Sequence, residues 1–143
     1  MNSTKEELEA CEFLPFQAAI EEGTEFVMVG HISLPNILND NTPASLSEEV
    51  VTEMLREDLG FDGIVITDAM NMGAIADNYT SAEAAVQAVQ AGVDMILMPQ
   101  DFEDAYQGIL SAVNSGTISE DRIDESVRRI LEVKMDESGE SAS

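Results

Sequence analysis

The chain has 143 residues, 44% of them hydrophobic and 5% aromatic, which is enough for one soluble domain with its own core. Its 6 Lys and Arg residues against 29 Asp and Glu residues give a formal net charge of -23, which argues against nucleic acid and anionic membranes as partners. No run reaches the roughly 20 apolar residues of a membrane span, the acidic N-terminus does not resemble a signal peptide, and a single cysteine, Cys11, excludes an internal disulfide. We therefore expect a cytoplasmic protein without structural zinc.

Helical segments alternate with short apolar strands along the first two thirds of the chain. The helical segments cover residues 4–22, 45–59 and 80–91. Pro15 predicts a break or a new first turn within the first of them. The second and third begin with the spacing of a capping box, Ser45 with Glu48 and Thr80 with Glu83.

The three strands share one pattern. The copies "GTEFVMVGH", "GFDGIVITD" and "GVDMILMPQ" each open with a glycine, any residue and an acid, and continue with branched apolar residues. A glycine at this place is typical of a helix that ends in the left-handed conformation. An almost wholly apolar strand is typical of a parallel sheet covered on both faces, and the spacing of the strands matches right-handed βαβ units. The pattern predicts an α/β fold with parallel strands.

Two amphipathic helices, over residues 101–115 and 118–135, are predicted after the third strand, with Gly116 between them. The last helix carries an apolar stripe, which consists of Ile123, Val127, Ile130 and Leu131. Its cations, Arg129 among them, lie toward the C-terminal end, where positive charge suits the helix dipole. Residues 136–143 are polar and low in complexity, which predicts a disordered tail.

Polar residues end all three strands. His31, Asp68 and Gln100 each lie eight residues after the glycine that precedes their strand. Because the carboxyl ends of parallel strands meet at one edge of a sheet, we expect these side chains on a common rim, where α/β proteins place their chemistry.

Each rim residue also has a plainer interpretation. An Asp after a strand often caps a turn or the following helix. His31 is the only histidine and precedes a polar loop of a kind that carries function, yet a lone histidine is more often a packed or capping residue. Gln100 equally suits the start of a helix. Met70 and Met72, directly beyond Asp68, could line a pocket wall, whereas core packing explains the other methionines.

Five blocks of the chain, "VMVGHISLP", "TPASLS", "LREDLGFDGIVITDAMNMGAI", "AAVQAVQAGVDMILMP" and "RIDESVRRIL", resemble the N-terminal (β/α)8 barrel domain of family 3 glycoside hydrolases. The similarity is greatest to the bacterial β-N-acetylhexosaminidase branch. It implies that residues 1–135 form the C-terminal part of a TIM barrel, about its last three βα units, and that the protein acts on carbohydrate without a cofactor or metal. It further implies that Asp68 is the catalytic nucleophile of a retaining hydrolase, through a covalent glycosyl intermediate, and that His31 and Met72 contact the sugar.

The chain departs from the family in length. A complete barrel of this kind has about 250 residues, and the family's upstream Lys-His pair and Gly-rich acid/base loop have no counterpart in this sequence. Asp77 lies nine residues after Asp68, but we interpret it as a loop acid and not as the missing proton donor. We therefore expect an incomplete and, by itself, inactive part of a β-N-acetylglucosaminidase or β-glucosidase.

The alternative is a non-catalytic fragment of a barrel that folds and associates. Open strand edges favour association, so a homodimer that pairs these edges is predicted, against the repulsion of the net charge. The helices could instead let the chain settle as a small open α/β sandwich.

Overall fold

The computed structural model of the protein describes residues 4–137 as alternating helices and parallel strands. The helices and strands in chain order are α1 (Lys5–Glu7), α2 (Leu14–Glu21), β1 (Phe26–Val29), α3 (Pro35–Leu38), β2 (Ile64–Thr67), α4 (Gly73–Ala76), α5 (Ser81–Ala91), α6 (Phe102–Asn114) and α7 (Glu120–Glu137). Two π-helical segments, Leu8–Glu12 and Glu49–Asp58, and a 3-10 turn, Ala44–Leu46, lie between them. The predicted helices and the first two predicted strands form in the predicted order.

The sheet is parallel, as predicted. β1 pairs with β2 along its whole length, from Phe26 opposite Ile64 to Val29 opposite Thr67. The third predicted strand lies parallel on the other side of β2, but it forms only one bridge, between Ile66 and Met95.

The third segment is therefore not a regular strand, which corrects this part of the prediction. Its pairing ends where the Leu97 amide donates to the Thr67 hydroxyl (3.0 Å) instead of to a backbone carbonyl. Directly afterwards Met98 leaves the extended conformation, with a φ of 46°. An apolar composition alone cannot show that a side chain will replace a backbone partner in the ladder.

The two faces of β1 have different surroundings. Val27 and Val29 pack into the main hydrophobic core, whereas the alternate residues Phe26 and Met28 are 44% and 52% exposed. The prediction that the strands are covered on both faces is wrong for β1, because residues 4–137 supply cover for only one of its faces. In β2, by contrast, Ile64, Val65 and Thr67 are buried.

The core lies where the sheet, the π-helical segment Glu49–Asp58 and α5 meet. Val51, Val65 and Ala88 are completely buried there. Gly92 ends α5 with a φ of 110°, and a Cβ at this position would lie 2.6 Å from the Thr52 hydroxyl oxygen. Both the backbone conformation and the close approach therefore require glycine. The predicted left-handed glycines are confirmed at all three helix ends.

The two predicted capping boxes have different outcomes. Thr80 and Glu83 form theirs, since the Thr80 hydroxyl accepts from the Glu83 amide (3.1 Å) and the Glu83 carboxylate accepts from the Thr80 amide (2.9 Å). Ser45 caps no helix, because it lies in the 3-10 turn, fully buried. The helix after it starts later, and Ser47 accepts the Val50 amide (3.4 Å).

The last two helices form as predicted, and Gly116 lies between them. The apolar stripe of α7 is only partly covered, because Val127 and Leu131 are 46% and 51% exposed. α7 continues to Glu137, so it includes the first two residues of the predicted tail. The rest of that tail, residues 138–143, lies outside the described residues. Within residues 4–137 no helix combines the length and the apolar character that crossing a membrane requires.

Candidate functional site

The candidate site lies at the carboxyl ends of β1 and β2. Asp68 directly follows β2, and its amide donates to the Val29 carbonyl (3.0 Å), so the strand pairing holds the backbone of Asp68. The pairing register, continued past the strands, sets Gly30 opposite Asp68 and His31 opposite Ala69. His31 and Asp68 thus lie on the same rim, one residue out of the register that the preceding glycines predicted.

Gln100 makes no hydrogen bond to His31 or Asp68 within the part of the chain that the structure describes. It is exposed in the turn before α6, and the next residue, Asp101, caps that helix by accepting from the Asp104 amide (3.0 Å). The plainer interpretation of Gln100, a residue at the start of a helix, is the one that the structure supports.

The Asp68 carboxylate has one fixed and one open oxygen. Oδ1 accepts the Ala69 amide at 2.7 Å, and Oδ2 accepts no hydrogen bond from any described residue. Asp68 does not cap the following helix, because the N-cap of α4 is Met72. The helix-cap interpretation is therefore wrong, and only the bond within the turn remains. A half-buried carboxylate with one oxygen fixed and one open is suited to nucleophilic or acid–base chemistry.

Both ring nitrogens of His31 bind the protein. Nδ1 lies 2.7 Å from the Ser45 hydroxyl oxygen, and Nε2 lies 3.0 Å from the Ala69 carbonyl oxygen. The first bond connects the end of β1 to the 3-10 turn, and the second connects it to the turn that carries Asp68. They agree with the interpretation of His31 as a packed residue, and a sugar contact through either nitrogen would have to replace one of them.

The methionines near Asp68 divide into buried and exposed residues. Met70 is buried and its amide donates to the Leu97 carbonyl (2.9 Å), so it packs in the core and lines no open wall. Met72 is 46% exposed at the start of α4, which leaves its thioether available to a ligand. Met98 is exposed and has a positive φ, which is rare for a residue with a side chain. No local sequence pattern distinguishes Met98 from a strand methionine such as Met28.

Asp77 is exposed directly after α4, which agrees with a loop acid. Among residues 4–137 no three His, Cys, Asp or Glu side chains are grouped so as to hold a metal ion.

A buried charge network stabilises the opposite end of the sheet. The Asp94 side chain has no exposed surface and pairs with Arg56 (2.6 Å) and Arg129 (3.0 Å). The same carboxylate accepts the Val65 amide (2.9 Å) and the Ser126 hydroxyl (2.6 Å). The position of Arg129 in the sequence predicts a cation that suits the helix dipole, but the residue is an ion-pair partner of the third segment.

Burial lowers the pKa of Arg56, and the neighbouring Asp94 carboxylate opposes that shift. Burial also lowers the pKa of Arg122, whose guanidinium donates to Ser126 and to backbone carbonyls. The network lies at the amino ends of the strands, where α/β barrels place residues for stability and not for catalysis. The sequence pattern does not predict this network, because Asp94 shares its repeat position with the exposed acids Glu25 and Asp62.

The profile of one protein family, described as the glycosyl hydrolase family 3 N terminal domain, matches residues 1–133. The curated Beta-N-acetylglucosaminidase/beta-glucosidase of Cellulomonas fimi is 33% identical over 128 residues, which are 83% of this chain and 23% of that protein. This chain spans about a quarter of the length of the curated relatives it matches.

Solved structures show the same likeness. A glycoside hydrolase family 3 beta-N-acetylglucosaminidase from Paenibacillus sp. str. FPU-7 superimposes with a TM-score of 0.93 and 40% identity, over 100% of this chain and 28% of that one. The beta-N-acetylglucosaminidase from Thermotoga maritima superimposes with a TM-score of 0.85 and 32% identity, over 92% of this chain and 30% of that one.

Proposed function

This chain belongs to glycosyl hydrolase family 3, and we propose that it supplies Asp68 as the nucleophile of a glycosidase that removes terminal β-N-acetylglucosamine residues. The observation that carries the proposal is the geometry of the Asp68 carboxylate. It stands at the carboxyl end of a parallel strand, with Oδ1 fixed by the Ala69 amide at 2.7 Å and Oδ2 open. A strand end holds a nucleophile more rigidly than a loop does.

The proposed reaction has two displacement steps. Asp68 Oδ2 attacks the anomeric carbon, the bond to the leaving oxygen breaks, and a proton donor protonates that oxygen. Water then attacks the same carbon and releases Asp68 as a carboxylate, while the water proton passes to the group that acted as donor. Two inversions at one carbon give net retention of configuration.

The substrate class rests on the relatives. The two solved relatives are named beta-N-acetylglucosaminidases, and the Cellulomonas protein is named for both that activity and beta-glucosidase activity. We propose N-acetylglucosaminides first and glucosides second. Met72, which is 46% exposed beside the Asp68 turn, is the proposed apolar contact of the sugar ring. His31 is the second proposed sugar contact, through its ring carbons, since both nitrogens are bonded to the protein.

We further propose that this chain alone hydrolyses little or nothing. Retaining hydrolysis needs a second carboxyl group about 5 Å from the nucleophile, or an equivalent proton donor. Asp77 is exposed beyond α4, and both His31 nitrogens are engaged, so neither is a suitable donor. The donor would come from the part of the relatives' length that this chain does not span.

A second candidate function is a non-catalytic association module. The exposure of Phe26 and Met28 on one face of β1 favours it, because an apolar strand face without cover promotes association. Under this alternative Asp68 would be a turn residue without chemistry.

The deciding experiment is a chimera in which this chain replaces the segment of the Paenibacillus enzyme that it superimposes on. We expect the chimera to hydrolyse p-nitrophenyl N-acetyl-β-glucosaminide, and Asp68→Asn to lower kcat roughly 10⁴-fold or more, as the loss of a nucleophile does. Asp62→Asn is the matched control, since Asp62 is an exposed acid six residues earlier in the same block. An Asp68→Asn chimera with near-parental kcat would refute the assignment.

The isolated chain tests the claim of incompleteness. We expect no turnover of the same substrate above background. Turnover by the isolated chain that disappears in Asp68→Asn would show that the proton donor lies within these 143 residues.

A further inference from the structure

A continuous series of hydrogen bonds leads from a buried serine to the Asp68 carboxylate. Ser45 Oγ lies 2.7 Å from His31 Nδ1, and His31 Nε2 lies 3.0 Å from the Ala69 carbonyl oxygen. The amide of the same residue, Ala69, donates to Asp68 Oδ1 at 2.7 Å. The series joins three parts of the chain that are 14 and 38 residues apart in sequence.

The chemistry of the partners fixes the tautomer of His31. A carbonyl oxygen can only accept, so the bond to Ala69 requires a hydrogen on Nε2. In the neutral ring Nδ1 is then an acceptor, and the Ser45 hydroxyl must donate to it. Ser45 is completely buried, so water does not compete for this bond. The serine thereby selects the tautomer that holds the Ala69 carbonyl.

Because the series of hydrogen bonds ends at Asp68 Oδ1, it affects the orientation of the Asp68 carboxylate. The Ala69 residue is bound on both sides, by His31 at its carbonyl and by Asp68 at its amide. The Ala69 carbonyl also accepts from the Met72 amide (3.1 Å), so loss of the His31 bond removes one of its two partners. The turn is then held less firmly, and the Ala69 amide is less firmly directed toward Oδ1. Oδ2 accepts no hydrogen bond from the described residues, so this single bond orients the carboxylate.

We propose that Ser45 and His31 are positioning residues that orient the Asp68 carboxylate through Ala69. This inference rests on the proposed role of Asp68 as the nucleophile. In this role His31 acts on Asp68 through Ala69, in addition to the proposed contact of its ring carbons with sugar. It also explains why a serine with capping-box spacing is buried and caps no helix.

The first test uses the 143-residue chain and needs no activity. Three-bond N–Cγ and C′–Cγ couplings measured by NMR report the χ1 rotamer of Asp68, and ring ¹⁵N shifts report the tautomer of His31. We expect one Asp68 rotamer and the Nε2–H tautomer in the parent chain. Ser45→Ala should mix the tautomers, and both Ser45→Ala and His31→Ala should average the Asp68 couplings.

Two variants make the result specific. His31→Gln keeps an N–H donor that reaches the Ala69 carbonyl, so it should restore a single Asp68 rotamer. Ser47→Ala is the matched control, because Ser47 is also buried but contacts the Val50 amide and not His31. If His31→Ala does not fold, Ser45→Ala and His31→Gln decide the question.

If Ser45 and His31 have a purely structural role, the NMR couplings of Asp68 should not change in their variants. Unchanged Asp68 couplings in the Ser45 and His31 variants, with lowered thermal stability, would overturn the proposal. So would an Nδ1–H tautomer in the parent chain, because the bond to the Ala69 carbonyl could not then exist.

The chimera supplies the functional test. Ser45→Ala should lower kcat about 10- to 100-fold with KM nearly unchanged, since a misplaced reacting group costs up to about 100-fold. Equal kcat in Ser45→Ala and parent would contradict the proposal. A parent chimera without activity would count against the nucleophile assignment, whereas the NMR result on Asp68 orientation would stand independently.

Discussion

Replacing Asp94 by asparagine removes one negative charge from the buried network and leaves its cations in place. Asp94 accepts four hydrogen bonds, from Arg56, Val65, Ser126 and Arg129, at 2.6 to 3.0 Å. The amide of asparagine would set an N–H donor against these donors. It would also leave two partly buried guanidinium groups without a counter-ion.

The expected cost follows from the burial of the pair. Removing one partner of a buried ion pair costs about 3–5 kcal/mol, against a total stability of about 5–15 kcal/mol for a domain. The Asp94 side chain has no exposed surface, so solvent screening does not reduce this figure, although Arg129 is 24% exposed and contributes less than Arg56. We expect a loss of about 3 kcal/mol and a fall in Tm of roughly 10 °C.

Urea and thermal unfolding followed by circular dichroism measure the effect. Asp62→Asn is the matched control, because Asp62 occupies the same repeat position but is exposed, and a surface change of this kind stays within about 0.5 kcal/mol. If the free energy of unfolding of Asp94→Asn lies within about 1 kcal/mol of the parent value, well below the cost of breaking a buried pair, the network does not hold the third segment in place.

Three further predictions concern the helix ends and the open strand. Gly92→Ala should destabilise the chain by more than about 1 kcal/mol and by more than Gly23→Ala, because both have positive φ but only Gly92 lacks space for a Cβ; equal losses in urea unfolding would contradict this. The hydrogen bonds of the capping box lower the pKa of Glu83 below its ordinary 4.5. The stabilisation by the Glu83 carboxylate is therefore present above pH 4.5 and is lost as the pH falls through the lowered pKa. The Tm should fall less with decreasing pH for Glu83→Gln than for the parent, and parallel curves of Tm against pH would refute the assignment. A homodimer through the open face of β1 should gain population with salt, which screens the net charge of -23, and should be lost in Met28→Glu; a strictly monomeric mass by light scattering at every salt concentration would count against it.

The features predictable from sequence are those that depend on neighbours in the chain. The apolar run that ends at Asp68 predicted a strand and a rim position, since strand composition and the glycine before it are local signals. The Thr80 capping box was predictable for the same reason, because both of its bonds join residues three apart.

The features that were missed depend on distant partners. Ser45 has the spacing of a capping residue, but its partner is His31, and no pattern between them marks the pair. Asp94 repeats the position of Asp62, yet only the three-dimensional structure brings Arg56 and Arg129 to it. The glycine spacing predicts His31 opposite Asp68, but the strand pairing is shifted by one residue, because the turns between glycine and strand differ in length in the first two copies.

The most direct test of Asp68 as the nucleophile is to trap the covalent intermediate on its side chain. The chimera is incubated with a slow 5-fluoro analogue of an N-acetylglucosaminyl fluoride, and the labelled peptide is identified by mass spectrometry. We expect one glycosyl adduct, an ester on the Asp68 side chain, and none in the Asp68→Asn chimera. An adduct on another carboxylate, with Asp68 unmodified, would contradict the assignment.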